Sequence, residues 1–333
     1  MATYKGIKGF SIQNLSADPS NLIEGEMWYN STSGVWKVEE ATAAGAWATG
    51  GNLATARYHL AGAGTQTAGL AFGGTPPTTA ATEEYDGSAW TAGGNLATAK
   101  LGLGGAGIQT AGLAFGGGTP PTSPPNTTVT EEYDGSAWTG GGAMGTGRRY
   151  LAGCGIQTAG LAIGGLIGPP QSTATEEYDG SAWTAGGNLA TARHALVGAG
   201  IQTAALAFGG VSPPPVVLTN TEEYDGSSWT AGGSMNTAKA YSAGAGLQTT
   251  GLSFGGTGAA PAYSRLTATE EYDGTSWTTS PASLSTARES LAGCGTKASA
   301  LAFGGQTATP SPTAATEEWT GAGAAVTKTI TTS

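Results

Sequence analysis

A glycine pair that returns six times, always among the same neighbours, narrows what this chain can become more than any other feature. Gly73-Gly74 is followed by Gly116-Gly117, Gly164-Gly165, Gly209-Gly210, Gly255-Gly256 and Gly304-Gly305, at spacings of 43, 48, 45, 46 and 49 residues. Around each pair stand a basic residue, a Gly/Ala stretch, Leu-Ala-Phe or a close variant, a Pro/Thr loop, Glu-Glu-Tyr-Asp-Gly and a Trp. Such a period means supersecondary units that bury their apolar faces only against one another.

The register within the unit is strict. Trp47, Trp90, Trp138, Trp183, Trp229 and Trp277 are followed ten or eleven residues later by Arg57, Lys100, Arg148, Arg193, Lys239 and Arg288. After the basic residue come two short strands about a tight turn, as at Leu60 to Gly64 and Ala68 to Phe72. In the second strand Leu70 and Phe72 point one way and Ala71 the other, so one face is bulky and the other nearly bare. Such sheets stack with the large residues of one over the small residues of the next. Gly-Gly ends the second strand. Thr-Glu-Glu-Tyr makes the third, and Asp86-Gly87 and its equivalents supply the hairpin turn into a Trp-bearing fourth. Four strands in each of six units predict an all-β, six-bladed β-propeller.

The order basic residue, paired glycines, Tyr-Asp, Trp resembles the kelch repeat over residues 47 to 319, with Ile163 in place of the Phe before Gly164-Gly165 and Trp319 in place of the last Tyr. The resemblance implies a propeller and leaves function open. The final copy stops at Glu317-Glu318-Trp319, and the missing Trp-to-basic segment stands at the start, Trp47 to Arg57. The N-terminal strand is therefore expected to complete the last blade and close the ring. Residues 1–46 form an N-terminal hairpin segment, 47–319 the propeller and 320–333 a C-terminal strand or tail, with Val326 to Thr331 as an extra strand set to pair with the 27–38 hairpin.

Gly contributes 58 of 333 residues, a content that suggests disorder until their fixed offsets beside Leu, Phe, Tyr and Trp are noticed. The net charge of −10 comes mostly from copying one unit's acids and disfavours a nucleic-acid partner. Cys154 and Cys294 occupy a small-residue position that other copies fill with Ala, which points to buried thiols and away from a disulfide or metal pair. No long apolar run marks a signal peptide or a membrane insertion.

The chain lacks Gly-x-Ser-x-Gly, His-Glu-x-x-His and phosphate-loop motifs. His59 and His194 sit at different offsets after their basic residues, so they predict rim or strand positions and no repeated site. A copper-dependent carbohydrate oxidase of kelch-like type would need a Tyr/His/Cys cluster at the axis, which this pattern does not suggest. Six Glu-Glu pairs predict structural ion pairs, because a catalytic site on a ring is built by breaking the repeat. No catalytic residue, cofactor or metal is expected.

Variation is concentrated in the loops 75–82, 118–130, 166–175, 211–221, 257–269 and 306–316, which should emerge on one face. Their distinctive residues are Pro120, Pro121, Pro124, Pro125, Asn126, Pro169, Pro170, Pro213, Pro214, Pro215, Tyr263 and Arg265, and these are the candidate binding residues. The opposite face is expected to carry only uniform Gln-Thr and Asp-Gly turns. At the N-terminus, Met27-Trp28-Tyr29-Asn30-Ser31-Thr32-Ser33-Gly34-Val35-Trp36-Lys37-Val38 reads as a hairpin. Met27, Trp28, Tyr29, Val35 and Trp36 are its candidate docking residues.

That hairpin resembles short hairpins in virion proteins of tailed bacteriophages, tail and fibre components in particular, and the Ala/Gly/Thr-rich array resembles proteins of marine phages. The resemblance implies a non-enzymatic virion protein made in the host cytoplasm. It would be a homo-oligomer docked to other virion proteins, presenting its loops to a host-surface glycan or receptor or to a neighbouring subunit. A cellular carbohydrate-binding or protein-adaptor propeller is the alternative expectation, and a degenerate carbohydrate oxidase a third.

Overall fold

The computed structural model describes residues 13–18, 26–41, 44–120, 125–168, 171–307, 311–323 and 325–330. The chain divides into two compact units, one of Met1–Gly45 with Thr320–Ser333 and one of Ala46–Trp319. Every regular element among the described residues is a strand.

The larger unit holds six four-stranded sheets and a two-stranded hairpin. The first sheet, Ala61–Gly64, Gly69–Phe72, Thr82–Tyr85 and Trp90–Ala92, runs up and down in chain order with antiparallel pairing throughout. The next four repeat it. The sixth takes Ala292–Gly295, Ser299–Phe303 and Thr316–Thr320, and its fourth strand is Ala46–Thr49 from the other end of the unit. The innermost strands touch in order, and that of the sixth sheet touches that of the first.

Side-chain size explains this packing. Leu70, Ala71 and Phe72 are all fully buried, so both faces of the strand are covered. A Cβ placed on Gly62 would lie 2.6 Å from Phe303 Cζ, one on Gly105 2.8 Å from Phe72, and one on Gly293 2.5 Å from Phe254. Each inner-strand glycine is thus the hole for the preceding sheet's aromatic knob. The Ile163 variant leaves a looser fit, 3.2 Å from Gly198.

Hydrogen bonds repeat the same neighbour order. Each fourth-strand Trp indole donates to a Thr hydroxyl of the preceding sheet, from Trp90 to Thr316 (2.9 Å) and from Trp47 to Thr269 (2.9 Å). The turn glutamines reach back likewise: Gln109 Nε2 donates to the carbonyls of Gly69 (3.1 Å) and Tyr85 (2.8 Å). Gly74, at φ +104°, donates its N–H to the Lys100 carbonyl of the next sheet at 2.8 Å. A side chain on Gly73 would come within 2.8 Å of that same carbonyl, so the glycine pair joins sheets as well as ending a strand.

One departure from the repeat is compensated locally. In the first sheet the Tyr85 hydroxyl donates to Glu318 of the sixth at 2.5 Å. Trp319 carries no hydroxyl for Glu271, and there Lys297, standing where other copies have Gln, approaches Glu271 at 3.7 Å while donating to the Tyr272 carbonyl at 3.2 Å. The Trp319 indole donates instead to the Lys297 carbonyl at 2.8 Å.

In the smaller unit Met27–Asn30 and Val35–Ala41 form an antiparallel hairpin. Gln13–Leu15 joins Met27–Asn30 in parallel, and Ala325–Ile330 joins Val35–Ala41 antiparallel. The Gln13–Leu15 strand has no signal in the alternation of the sequence. Trp28 is not a docking residue: it is 1% exposed, with its indole donating to Asp18 at 3.1 Å. Met27 and Trp36 are exposed, Val35 is half-buried, and Tyr29 packs on Trp36 with ring centroids 5.3 Å apart.

Candidate functional site

The Glu-Glu pairs serve the frame. The first Glu of each pair meets the buried basic residue of its own sheet: Arg57–Glu83 at 3.0 Å, Lys100–Glu131 at 2.8 Å, Arg148–Glu176 at 2.8 Å, Arg193–Glu222 at 3.0 Å, Lys239–Glu270 at 3.3 Å and Arg288–Glu317 at 2.9 Å. All six basic residues are at most 1% exposed. Desolvation lowers their pKa and the facing carboxylate opposes the drop. The second Glu accepts a tyrosine hydroxyl of the following sheet, as Glu84 does from Tyr133 and Glu132 from Tyr178.

The repeat breaks in the two residues directly after each basic one: Tyr58-His59, Leu101-Gly102, Arg149-Tyr150, His194-Ala195, Ala240-Tyr241 and Glu289-Ser290. The first of each pair bridges the residue after the Gly-Gly of its own sheet, which puts it on the loop face. The second adopts φ between 52° and 59° in all six copies, a conformation that costs a non-glycine residue roughly 1–2 kcal/mol. A ring of hydrogen bonds holds it there. His59 N–H donates to the Ser290 carbonyl (2.9 Å), Gly102 to His59 (2.8 Å), Tyr150 to Gly102 (2.6 Å), Ala195 to Tyr150 (2.8 Å), Tyr241 to Ala195 (2.9 Å) and Ser290 to Tyr241 (2.7 Å). The cycle returns to its start after six residues.

At this backbone ring lies an open funnel of about 80 Å³ lined by His59, Tyr150 and Tyr241 together with leucines such as Leu60 and Leu151. The rings pack edge and face: His59–Tyr150 centroids are 4.8 Å apart, His59–Tyr241 and Tyr150–Tyr241 each 5.7 Å, Tyr58–His59 4.9 Å and His194–Tyr241 6.1 Å. The Arg149 guanidinium lies 5.8 Å from the Tyr150 ring centroid. His194 keeps a strand-like place, bridging Val211, while His59 stands in the cycle of backbone hydrogen bonds. Offsets one residue apart converge on one mouth, because the first residue of each pair sits beside the second on the same six-membered ring.

Burial lowers the His59 pKa to about 4, and burial together with Arg149 lowers that of His194. Burial raises the Tyr150 hydroxyl and, with Tyr150 adjacent, pushes Tyr241 up to about 12. At neutral pH the lining offers the neutral His59 imidazole and the Tyr150 and Tyr241 phenols, with the Arg149 guanidinium near the Tyr150 ring. Because the folded value of His59 lies below its free value of 6.5, its contribution to stability is complete above pH 6.5 and is lost as pH falls toward 4. Asp18 and Asp225, lowered to about 2 by Lys37 and by the Ser228 N–H, lose theirs only below their free value of 3.8. The melting temperature should accordingly fall between pH 6.5 and 4, and His59→Asn, which tolerates the left-handed backbone, should flatten that slope. Identical slopes in the two proteins would contradict the assignment.

The loop residues divide. Pro120, Pro125 and Pro213, Pro214 and Pro215 are exposed, the last three at the tip of the Val211–Ser212 and Val216–Val217 hairpin. Tyr263 is exposed. Pro121, Pro124, Pro169 and Pro170 lie outside the described residues. Asn126 is a clamp: its amide donates to the Leu166 and Ile167 carbonyls, both at 2.7 Å, and accepts from Arg149 at 3.2 Å. Arg265 is paired with Glu289 at 2.8 Å. These two residues thus steady the funnel's rim. Cys154 and Cys294 are buried in inner strands, with their thiols pushed up to about 12 by desolvation, and stand apart from the Tyr/His cluster. Among the described residues no group of three or more His, Cys, Asp or Glu is placed to hold a metal ion.

No protein-family model and no curated protein sequence matches the chain. Among solved structures it is similar to YjhT, a kelch-like β-propeller, with a TM-score of 0.67 at 14% identity, covering 80% of this chain and 95% of that one. The likeness, with the repeated four-stranded antiparallel sheets, supports a kelch-type propeller fold.

Proposed function

We propose that this chain is a non-enzymatic virion protein of a tailed bacteriophage, a six-bladed propeller whose axial funnel and surrounding loops bind a host-surface glycan. The cycle of six backbone bonds and the six four-stranded sheets of the larger unit support a count of six blades. The observation that carries the binding role is the pattern of variation. Contacts between sheets are kept copy after copy, while no two copies share the same axial residue pair, and these pairs bring three tyrosines, two histidines and an arginine together. Phenols and imidazoles packed edge to face suit a ligand that is apolar on one face and polar at its rim. The virion assignment rests on the resemblance of the 27–38 hairpin to phage tail components, with Met27 and Trp36 as its exposed apolar residues. Particles carrying Tyr150→Ala with Tyr241→Ala should assemble normally and lose host attachment about tenfold or more, as truncating central aromatic anchors does. Met27→Ser with Trp36→Ser should instead lower incorporation into particles. Unchanged attachment in the first variant would overturn the glycan-site reading, and unchanged incorporation in the second the docking reading.

A further inference from the structure

The face opposite the funnel is not uniform. The inner hairpin turn of each sheet begins at Thr65, Ile108, Ile156, Ile201, Leu247 and Thr296. The four apolar residues are 49%, 52%, 48% and 53% exposed. They fall on four consecutive sheets, and the two threonines on the sixth and first close the circuit. Thr65 and Thr296 open the corresponding turns, donating their N–H groups to Ala68 (3.0 Å) and Ser299 (2.8 Å) and accepting the Ala68 and Ser299 N–H groups on their hydroxyls, both at 3.1 Å, so a turn at this place forms without an exposed apolar side chain. Inner strands of consecutive sheets approach closely, since a Cβ on Gly153 would meet the Gly105 carbonyl at 2.5 Å. The four side chains therefore form one arc beside the axis, unlike apolar residues scattered singly over a surface.

An acidic rim surrounds the arc. The Asp-Gly turns pack against the inner hairpins, as Gly87 does on Thr67 and Gly135 on Thr110. In each, one carboxylate oxygen is held by turn groups: Asp134 Oδ1 accepts from Ser136 N–H, Ser136 hydroxyl and Ala137 N–H, each at 2.8 Å. These bonds keep Asp86, Asp134, Asp179, Asp225 and Asp273 below the usual carboxylate range, and all five are exposed. Among the described residues of these inner and Asp-Gly turns the one basic side chain is Lys297, already engaged with Glu271 and the Tyr272 carbonyl.

We propose that this apolar arc, set inside its acidic rim, docks a second protein that presents an apolar element flanked by lysines or arginines. Charge selects this occupant. A second copy of the chain on the same face would bring two acidic rims together, and an anionic membrane surface would be repelled. The proposal is independent of the funnel and of what the funnel binds.

The test uses the full chain and three synthetic amphipathic helices, of Leu/Lys, Leu/Glu and Ser/Lys composition, with binding read by fluorescence anisotropy. The variant Ile108→Thr, Ile156→Thr, Ile201→Thr, Leu247→Thr copies the residue of the first and sixth sheets and keeps every charge. Its melting temperature should match that of the parent, which confirms the fold. The Leu/Lys helix should bind the parent, weaken with added salt, and bind the variant about tenfold or more weakly, while the other two helices bind neither protein appreciably. Equal binding of Leu/Lys to parent and variant, or none to the parent, would overturn the proposal. So would a parent dimer in sedimentation that the variant loses, since the occupant would then be a second copy.

Discussion

Glu222→Ala is expected to destabilise the protein by about 3–5 kcal/mol, because it leaves the Arg193 cation buried without its counter-charge. Arg193 is 0% exposed and lies 3.0 Å from Glu222 Oε1. Its remaining partners are carbonyls, those of Asn220 at 3.0 Å and of Gly209 and Ala207 at 3.3 Å. The same substitution strips the acceptor from the Ala190 N–H, which donates to Glu222 Oε2 at 2.7 Å. One carboxylate thus holds a cation and anchors the segment that crosses between sheets. The double variant Arg193→Met with Glu222→Leu should recover much of the loss, since well-packed apolar residues replace a buried pair at little net cost. Urea midpoints at unchanged m-value measure both effects. A loss under about 1 kcal/mol in the single variant, typical of an exposed pair, would mean that water reaches Glu222.

How far the sequence reveals this molecule depends on whether a feature lies within one copy or between copies. The strands, the Asp-Gly turns and the pairing of bulky with bare faces are local, and alternation at Leu70-Ala71-Phe72 exposes them directly. The role of Ala46–Thr49 follows from counting what the last copy lacks. The axial cluster is different. His59 and His194 stand at unlike offsets, and only the cycle of backbone hydrogen bonds from His59 through Gly102, Tyr150, Ala195 and Tyr241 to Ser290 brings the separate copies together. The signal that could have found it was present, since those two positions change from copy to copy between a constant basic residue and the copied inner strand. Among the loop residues, Asn126 and Arg265 are distinctive for structural reasons, one clamping a neighbouring loop and the other paired with Glu289. Trp28 misled because alternation in a hairpin does not tell which face is covered, and the Asp18 segment that bonds its indole has no periodicity of its own. On the turn face, Ile108 and its equivalents are visible as Gly-Ile-Gln-Thr beside Gly-Thr-Gln-Thr, but their adjacency needs the ring.

Trp47→Ala is expected to cost about 3 kcal/mol or more and to act on ring closure. The Trp47 ring packs against Phe254 at 4.9 Å and Trp319 at 5.3 Å, and its indole donates to Thr269 at 2.9 Å. It therefore ties the chain's early strand both to the sheet that it completes and to the sheet before. Axial convergence depends on that closure, since six loops meet at one mouth only if the sixth sheet is whole and touches the first.

Amide hydrogen exchange across Ala46–Thr49 measures this most directly. The protection of its strand-paired amides should equal that of Thr316–Thr320, with both segments opening only in global unfolding, and Trp47→Ala should lower the two together. Rapid exchange at 46–49 beside a protected 316–320 would contradict the closed ring and the axial site that depends on it.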